Sequence, residues 1–172
     1  NQFTRDELEE AIRSADELAY SADREHAVRA MRWLAESNYT ISFDDEEDVC
    51  ERVIFPVSDA EAHGIEDARF VRFTDDDGDS TYYATYTAYS GSSLSIQLIE
   101  TEDFRRFDIC TLNGPAIINK GMALFPRRIN GDYCMLGRQD GQSITLSRSR
   151  HLHFWYEWQP IIQPREPWEI IK

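Results

Sequence analysis

The residues best suited to chemistry in this chain are two adjacent carboxylates, Glu66 and Asp67, in a turn led by Gly64. A strand-like segment follows them, and neighbouring side chains on a strand point to opposite faces. We therefore expect one carboxylate to face a cavity while the other pairs with Arg69 or with a backbone amide. A carboxyl group in a partly desolvated pocket can keep its proton near neutral pH. The pattern predicts a general acid at this turn.

Two basic residues further along the chain are candidate ligand contacts. Lys120 occupies the equivalent place in a later segment, where a lysine can bind a sugar hydroxyl, a carboxylate or a phosphate. Arg138 ends the second predicted strand of that segment and can line the same cavity. The alternative for all these residues is a surface role, with Asp67 capping a turn and Glu66 facing solvent.

The elements that would position these residues form a repeat. A polar opening is followed by a strand, a turn, an aromatic strand, a glycine turn, a Ser-Ile strand and a final aromatic segment. The period is about 50 residues, which is typical of propeller blades or another array. Polar openings at the same point of two repeats would face a common axis. The matching turns are Asp77-Gly78 and Asn130-Gly131, and the matching Ser-Ile pairs are Ser95-Ile96 and Ser143-Ile144.

Four tyrosines crowd the aromatic strand of the first repeat. The period of two places Tyr83 and Tyr89 on one face and Tyr82 and Tyr86 on the other. Most are expected to pack against neighbouring strands. Aromatic rings also stack on the apolar side of sugars, so the strand is a weak pointer to carbohydrate.

Residues 1–37 are predicted to be helical. Thr4 and Glu7 form a capping box, and Phe3 and Leu8 are placed for a hydrophobic staple. A second helix is predicted from near Ser21, and its apolar side consists of Ala27, Met31, Leu34 and Ala35.

Residues 38–172 are predicted to be strands and turns. Tyr39, Ile41 and Phe43 alternate with polar residues, as in a half-buried strand that ends a preceding blade. A further short strand is predicted over Glu51–Val57. The strands therefore amount to two nearly complete blades plus the end of another.

Composition narrows the class of function. The chain has 172 residues with 18 Lys and Arg against 32 Asp and Glu, a net charge of −14. An acidic surface disfavours nucleic acid and anionic membranes as partners. No apolar run approaches the length of a membrane span, and no signal-peptide pattern is present. Cys50, Cys110 and Cys134 lack metal spacing and predict reduced, mostly buried thiols in a cytoplasmic protein, with no metal site.

The segment from Glu51 to Trp168 resembles glycoside hydrolase family 130, the β-mannoside phosphorylases and β-mannosidases. The resemblance covers about two-thirds of the chain, and its motifs are fairly specific when taken in order. They are Glu51-Arg52-Val53-Ile54-Phe55-Pro56, Gly64-Ile65-Glu66-Asp67-Ala68-Arg69-Phe70, Tyr86-Thr87-Ala88-Tyr89, Asn119-Lys120-Gly121-Met122-Ala123-Leu124-Phe125-Pro126, Asn130-Gly131-Asp132-Tyr133-Cys134-Met135-Leu136-Gly137-Arg138 and Leu146-Ser147-Arg148-Ser149.

The resemblance implies an all-β fold that is part of a five-bladed β-propeller, about two to three blades, with residues 1–37 as a helical insertion. It implies cleavage of β-mannosides with inversion, with Asp67 as the proton donor acting through a mannose hydroxyl. Glu66 and Arg69 would hold the site, and Lys120 and Arg138 match ligand or phosphate contacts. No cofactor is implied, although inorganic phosphate can be the co-substrate.

Two departures from the family pattern bear on the reaction. Ala68 replaces a proline in the acidic motif, which changes turn stiffness. Family phosphorylases also carry an arginine shortly after the Tyr86–Tyr89 motif, where this chain has Ser90-Gly91-Ser92-Ser93-Leu94. A phosphate would lose a bidentate partner there, which makes hydrolysis an alternative to phosphorolysis.

Three functions therefore compete. The first is an enzyme acting on β-mannosides, and the second is another five-bladed glycosidase. The third is a non-catalytic propeller that binds sugars or proteins, because a fold alone does not decide function. Two blades cannot close a propeller, so we expect the chain alone to be inactive and its open strand edges to pair between copies.

Overall fold

The computed structural model describes residues 4–16 and 22–170, which form two helices followed by two antiparallel sheets. The helices are α1 (Arg5–Asp16) and α2 (Ala22–Glu36). The first sheet contains β1 (Tyr39–Ser42), β2 (Ile65–Thr74), β3 (Ser80–Tyr89), β4 (Leu94–Thr101) and β5 (Arg106–Thr111). The second contains β6 (Ala123–Leu124), β7 (Tyr133–Gly137), β8 (Ile144–Ser149) and β9 (Glu157–Ile162). Short 3-10 helices span Asp59–Glu61 and Pro167–Glu169. Beyond α2 the regular structure of the described chain is strand, apart from the two short 3-10 helices, which agrees with an all-β class.

The start of α1 is fixed by the predicted capping box. The Thr4 N–H donates to Glu7 Oε2 at 2.7 Å, and the Glu7 N–H donates to Thr4 Oγ1 at 3.3 Å. These bonds satisfy backbone donors that the first helical turn leaves without partners. Leu8 and Ile12, one turn apart, are buried. Phe3, the other half of the predicted staple, lies outside the described residues.

The apolar side predicted for α2 is not a buried face. Met31 and Leu34 are 51% and 41% exposed. A bidentate ion pair instead joins α2 to α1, because Arg32 donates to both carboxylate oxygens of Glu9 at 2.9 and 2.8 Å. A helical period shows which side chains share a face, not whether another element covers that face.

The first sheet has the strand order β1-β5-β4-β3-β2, so β1 lies at its outer edge. β1 pairs antiparallel with β5, with Tyr39 opposite Ile109 and Ile41 opposite Phe107. The prediction that this strand ends a preceding blade is therefore wrong. β1 joins β5 because Tyr39 and Ile41 extend the apolar cluster that contains Ile109 and Phe107.

The second sheet repeats the strand order of β2 to β5. Its order is β6-β7-β8-β9, with each strand antiparallel to the next. Two successive four-stranded meanders confirm the repeated order of strands. The first strand of the second copy is short, since β6 ends at Leu124, two residues before Pro126. Proline has no N–H for a strand ladder.

The strand predicted over residues 51–57 is absent. Val53 and Phe55 are 54% and 69% exposed, and Pro56 cannot donate to a ladder. Arg52 instead fixes the segment by donating to two backbone carbonyls at 2.6 Å each. The prediction fails because a short β-type composition does not provide a partner strand.

Each face of the first sheet carries its own apolar cluster. One face packs on the second sheet, through a cluster that includes Tyr83, Leu98 and Trp155. The other face carries a cluster that includes Tyr86 and Ile99. Tyr83 and Tyr86 therefore lie on opposite faces, as the period of two predicts.

The thiols differ in exposure. Cys134 is buried, Cys110 is half-buried and Cys50 is exposed, and all three are free. The prediction of mostly buried thiols is thus wrong for Cys50. Among the residues that the structure describes, no helix has the length and apolar character needed to cross a membrane.

Candidate active site

Glu66 and Asp67 lie at a β-bulge inside β2, not in a turn before it. Glu66 is opposite Thr87 of β3 and Arg69 is opposite Thr85, so Asp67 and Ala68 together face one residue of the partner strand. Asp67 has a φ of 64°, in the left-handed region that aspartate tolerates better than most residues. Bulges redirect side chains and recur beside active sites. This bulge separates the directions of the two carboxylates.

Asp67 forms an ion pair with Arg69. Arg69 Nη2 donates to Asp67 Oδ2 at 3.0 Å, and the two side chains are 40% and 41% exposed. Arg69 Nη1 also donates to the Gly121 carbonyl at 2.7 Å, in the segment that leads into β6. Arg69 therefore ties the bulge of the first sheet to the beginning of the second.

Glu66 pairs across the same junction with Lys120. Lys120 Nζ lies 2.7 Å from Glu66 Oε1, with side-chain exposures of 37% and 55%. The Lys120 backbone is held by Asn119, whose Oδ1 accepts the Lys120 N–H at 3.0 Å. Asn119 has a φ of 67° and donates its amide to the Arg138 carbonyl at 3.0 Å. The hydrogen bonds of Asn119 therefore fix the loop that carries Lys120.

Arg138, the last of the predicted site residues, directly follows β7. Its Nε donates to the Lys120 carbonyl at 3.1 Å. Gly121 lies between the two arginines, where an added Cβ would be 3.1 Å from Arg69 Nη2 and 3.2 Å from Arg138 Nε. The structure therefore brings together all the residues predicted for the site, from both sheets.

Sequence reasoning missed Glu61, a fully buried carboxylate beneath the bulge. Its Oε1 accepts a hydrogen bond from the Tyr86 hydroxyl at 2.5 Å, and the Tyr39 hydroxyl lies 2.9 and 3.0 Å from its two oxygens. Its Oε2 accepts from the Val57 N–H, the Ser58 N–H and Ser58 Oγ, at 3.0 Å each. Burial raises the pKa of Glu61, but these hydrogen bonds outweigh burial and hold the pKa below its ordinary value.

Tyr86 connects this buried carboxylate to the candidate site. Tyr86 is buried, and the register of the sheet places this residue opposite Asp67 and Ala68. Burial, followed by the hydrogen bond to Glu61, raises the pKa of Tyr86 far above its ordinary value. Tyr86 is therefore a neutral hydroxyl donor locked under the bulge, and Glu61 fixes its position.

Two cavities meet at Glu66. One has a volume of about 440 Å³ and is mainly apolar, and its lining includes Asp67, Tyr86 and Phe70. The other has a volume of about 330 Å³ and includes Lys120 and Tyr89. Both fall in the range of small-molecule sites. Ile65 and Glu66 line both cavities and mark their boundary.

The turn after β3 contains only small polar side chains at the place where the family arginine is expected. Ser90 Oγ accepts hydrogen bonds from the N–H groups of Ser92 and Ser93 at 3.4 and 3.1 Å. The turn is therefore closed by its own hydroxyl and backbone groups. Arg69, Lys120 and Arg138 are basic residues at the junction of the two sheets. Arg52 also lines the cavity that contains Asp67.

The arrangement contains the groups needed for acid-assisted transfer to an anion. Asp67 and Glu66 can handle protons, while the three basic side chains can contact an anionic or hydroxylated ligand. Each carboxylate already has a basic partner, so Asp67 must part from Arg69 and take up a proton before it can donate one to a ligand.

Known proteins are similar to this chain in sequence. The family model for glycoside hydrolase family 130, described as beta-1,4-mannooligosaccharide phosphorylase, matches residues 15–170. A 1,2-beta-oligomannan phosphorylase of Thermoanaerobacter sp. (strain X514) is 32% identical over an alignment of 122 residues, and the match covers 67% of this chain and 38% of that protein. A beta-1,2-mannobiose phosphorylase of Listeria innocua is 33% identical over 91 residues, which are 53% of this chain and 24% of that protein.

A solved structure supports the same relationship. The beta-1,2-mannobiose phosphorylase from Listeria innocua, in complex with beta-1,2-mannobiose, superposes with a TM-score of 0.55 at 25% sequence identity. The match covers 72% of this chain and 33% of that chain. This chain thus spans well under half the length of the relatives it matches. From the family match over residues 15–170, the chain belongs to glycoside hydrolase family 130.

Proposed function

We propose that this chain forms part of the active centre of an enzyme that cleaves β-mannosides by inverting phosphorolysis, with Asp67 as the proton donor. The observation that carries the proposal is the convergence of Asp67 and Glu66 with Arg69, Lys120 and Arg138 at the junction of the two sheets. The relatives named above, all phosphorylases of β-mannosides, support this class of reaction.

In the proposed reaction, a phosphate oxygen attacks the anomeric carbon of the mannosyl unit. The glycosidic carbon–oxygen bond breaks, and the departing sugar oxygen takes a proton relayed from Asp67 through a mannose hydroxyl. The anion needs basic partners, which Lys120 and Arg138 can supply once Glu66 is displaced from Lys120. Arg69 would then hold the ionised Asp67 after the transfer.

Hydrolysis is the second candidate, and the turn at Ser90–Ser93 favours it. That turn provides hydroxyl and amide groups but no cation for a phosphate. In an inverting hydrolase, a second carboxylate activates water at about 6.5–9.5 Å from the acid. We expect that base to come from residues outside the described chain or from Glu66.

The two meanders are proposed to be two blades of a five-bladed β-propeller with the sugar at its central cavity. A cavity of five blades is incomplete in two, so the chain alone is expected to be inactive. Turnover of a β-mannoside by the isolated 172-residue chain would contradict this expectation. If the complete protein binds such sugars without turnover, a non-catalytic binding propeller is the better description.

The test is an assay of the full-length protein on β-1,2- and β-1,4-linked manno-oligosaccharides, with and without phosphate. Phosphorolysis predicts mannose 1-phosphate only when phosphate is present, whereas hydrolysis predicts free mannose in both cases. Asp67→Asn should reduce turnover by at least about 100-fold, the scale of general-acid catalysis. Asp44→Asn, in an exposed loop, is the matched control and should retain activity. Unchanged turnover in Asp67→Asn would refute the site assignment.

A further inference from the structure

We propose that the candidate site continues into a sugar-binding groove that ends at Trp33, and that Trp33 stacks on a distal unit of an oligosaccharide. This inference rests on the proposed function and deepens it, because it makes chains longer than a disaccharide the preferred substrate. It assigns a role to α2, which contributes none of the residues at the junction.

The first step is the continuity of the cavities. The cavity that contains Lys120 adjoins a third cavity of about 430 Å³, and Leu94 lines both. Asn119, which lines the third cavity, is the chain neighbour of Lys120. A ligand that leaves the Glu66–Lys120 pair in this direction therefore enters the third cavity, at whose lining Trp33 lies.

The second step is the fixed position of Trp33. Its carbonyl accepts the Ser37 N–H at 3.0 Å, and Thr111 Oγ1 donates to Ser37 Oγ at 2.7 Å. The Thr111 N–H donates to Asn38 Oδ1 at 3.1 Å. These bonds attach the end of α2 to β5. Trp33 is 36% exposed and lines the third cavity, so its side chain is accessible to a ligand while its backbone is held in place.

The third step is the chemistry of the lining. The eleven lining residues include none with a charged side chain, in a chain in which 29% of residues are charged. Ser95, Asn113 and Asn119 add hydroxyl and amide groups beside the aromatic ring. The Asn113 amide is held by its hydrogen bond to the Thr111 carbonyl at 2.8 Å. An aromatic face with neutral hydrogen-bonding groups suits an uncharged sugar better than an anion or a nucleic acid.

The test compares kcat/KM for β-mannobiose and β-mannotetraose in the full-length protein. Trp33→Ala should lower the value for the tetrasaccharide by about fivefold, the worth of one aromatic contact, and leave the disaccharide unchanged. Trp33→Phe should restore most of the loss. Trp168→Ala, which removes a tryptophan that is 80% exposed, is the control and should match wild type. An equal loss of kcat/KM on both substrates, or no loss on either, would refute the proposed groove.

A binding measurement separates this inference from the proposed function. If the wild-type protein turns over no β-mannoside, the proposed reaction fails, but calorimetric titration still tests the groove. Trp33→Ala should then weaken tetrasaccharide binding about fivefold without changing the melting temperature. Equal tetrasaccharide affinity in wild type and Trp33→Ala would refute the groove whatever the reaction is.

Discussion

Replacing Glu61 should destabilise the protein more than any single change at the exposed ion pairs. Glu61→Ala leaves five buried or part-buried donor groups without their acceptor. Each such donor costs about 1–3 kcal/mol, but relaxation and entering water reduce the sum. We expect a loss of about 3–5 kcal/mol in the free energy of unfolding, the range for breaking a buried charged network. Urea denaturation followed by tryptophan fluorescence measures it.

Glu61→Gln is the matched variant, since it keeps the shape of the side chain. Its amide oxygen can replace Oε2 as acceptor of the three bonds from residues 57 and 58. Its amide nitrogen then faces the hydroxyls of Tyr39 and Tyr86, which can rotate to accept. The expected loss is about 1–2 kcal/mol. This variant also serves if Glu61→Ala does not fold.

The pH dependence provides a second readout. The pKa of Glu61 is held below its ordinary value of 4.5, so its ionised form stabilises the fold above that pH. This contribution is lost as the pH falls through the lower folded-state pKa. The gap in stability between wild type and Glu61→Gln should therefore close in acid. A loss under 1 kcal/mol in Glu61→Ala, or a gap that stays constant with pH, would refute the reasoning.

Two further predictions concern the junction and the first sheet. Gly121→Ala should lower kcat/KM by about tenfold, because its Cβ displaces the arginines beside it. Gly131 has a similar positive φ, but no atom lies within 4 Å of a Cβ added there, so Gly131→Ala is the control. An equal loss of activity in both variants would contradict the proposed displacement. Glu100→Gln should raise the melting temperature at pH 7 by about 2 °C, because burial and then Asp108 and Glu102 raise the pKa of Glu100. That gain should disappear in acid, where Glu100 is protonated in both the folded and the unfolded protein. Scanning calorimetry at two pH values measures it, and a gain that persists in acid would contradict the prediction.

The two four-stranded meanders and the meeting of the site residues could be predicted because both follow from the repeat. Glu66 and Lys120 open their respective copies, and the structure places their charged atoms 2.7 Å apart. A repeat relates positions that are distant in sequence, which composition or local propensity cannot do. The helix start at Thr4 was equally predictable, because both partners of its capping box lie within one turn.

The bulge at Asp67 could not be predicted from the sequence. A bulge depends on the register with a partner strand, and alternation within one strand does not specify that register. Glu61 did have a local signal, since it follows Ser58 by three residues and bonds its N–H and hydroxyl. Its tyrosine partners lie 22 and 25 residues away, so neither its burial nor its connection to the bulge was accessible from spacing.

The carboxylates of this region therefore differ in what they can do. Pairs such as Glu66–Lys120 and Asp67–Arg69 are 37–55% exposed, and ion pairs of that exposure contribute about 0–1 kcal/mol each. A ligand can part them at small cost, as the proposed proton transfer and anion binding require. Glu61 is fully buried, and its network cannot open without a large loss of stability. Glu61 holds Tyr86, the residue opposite the bulge. The buried Glu61 network therefore positions the bulge that carries the exposed carboxylates Glu66 and Asp67.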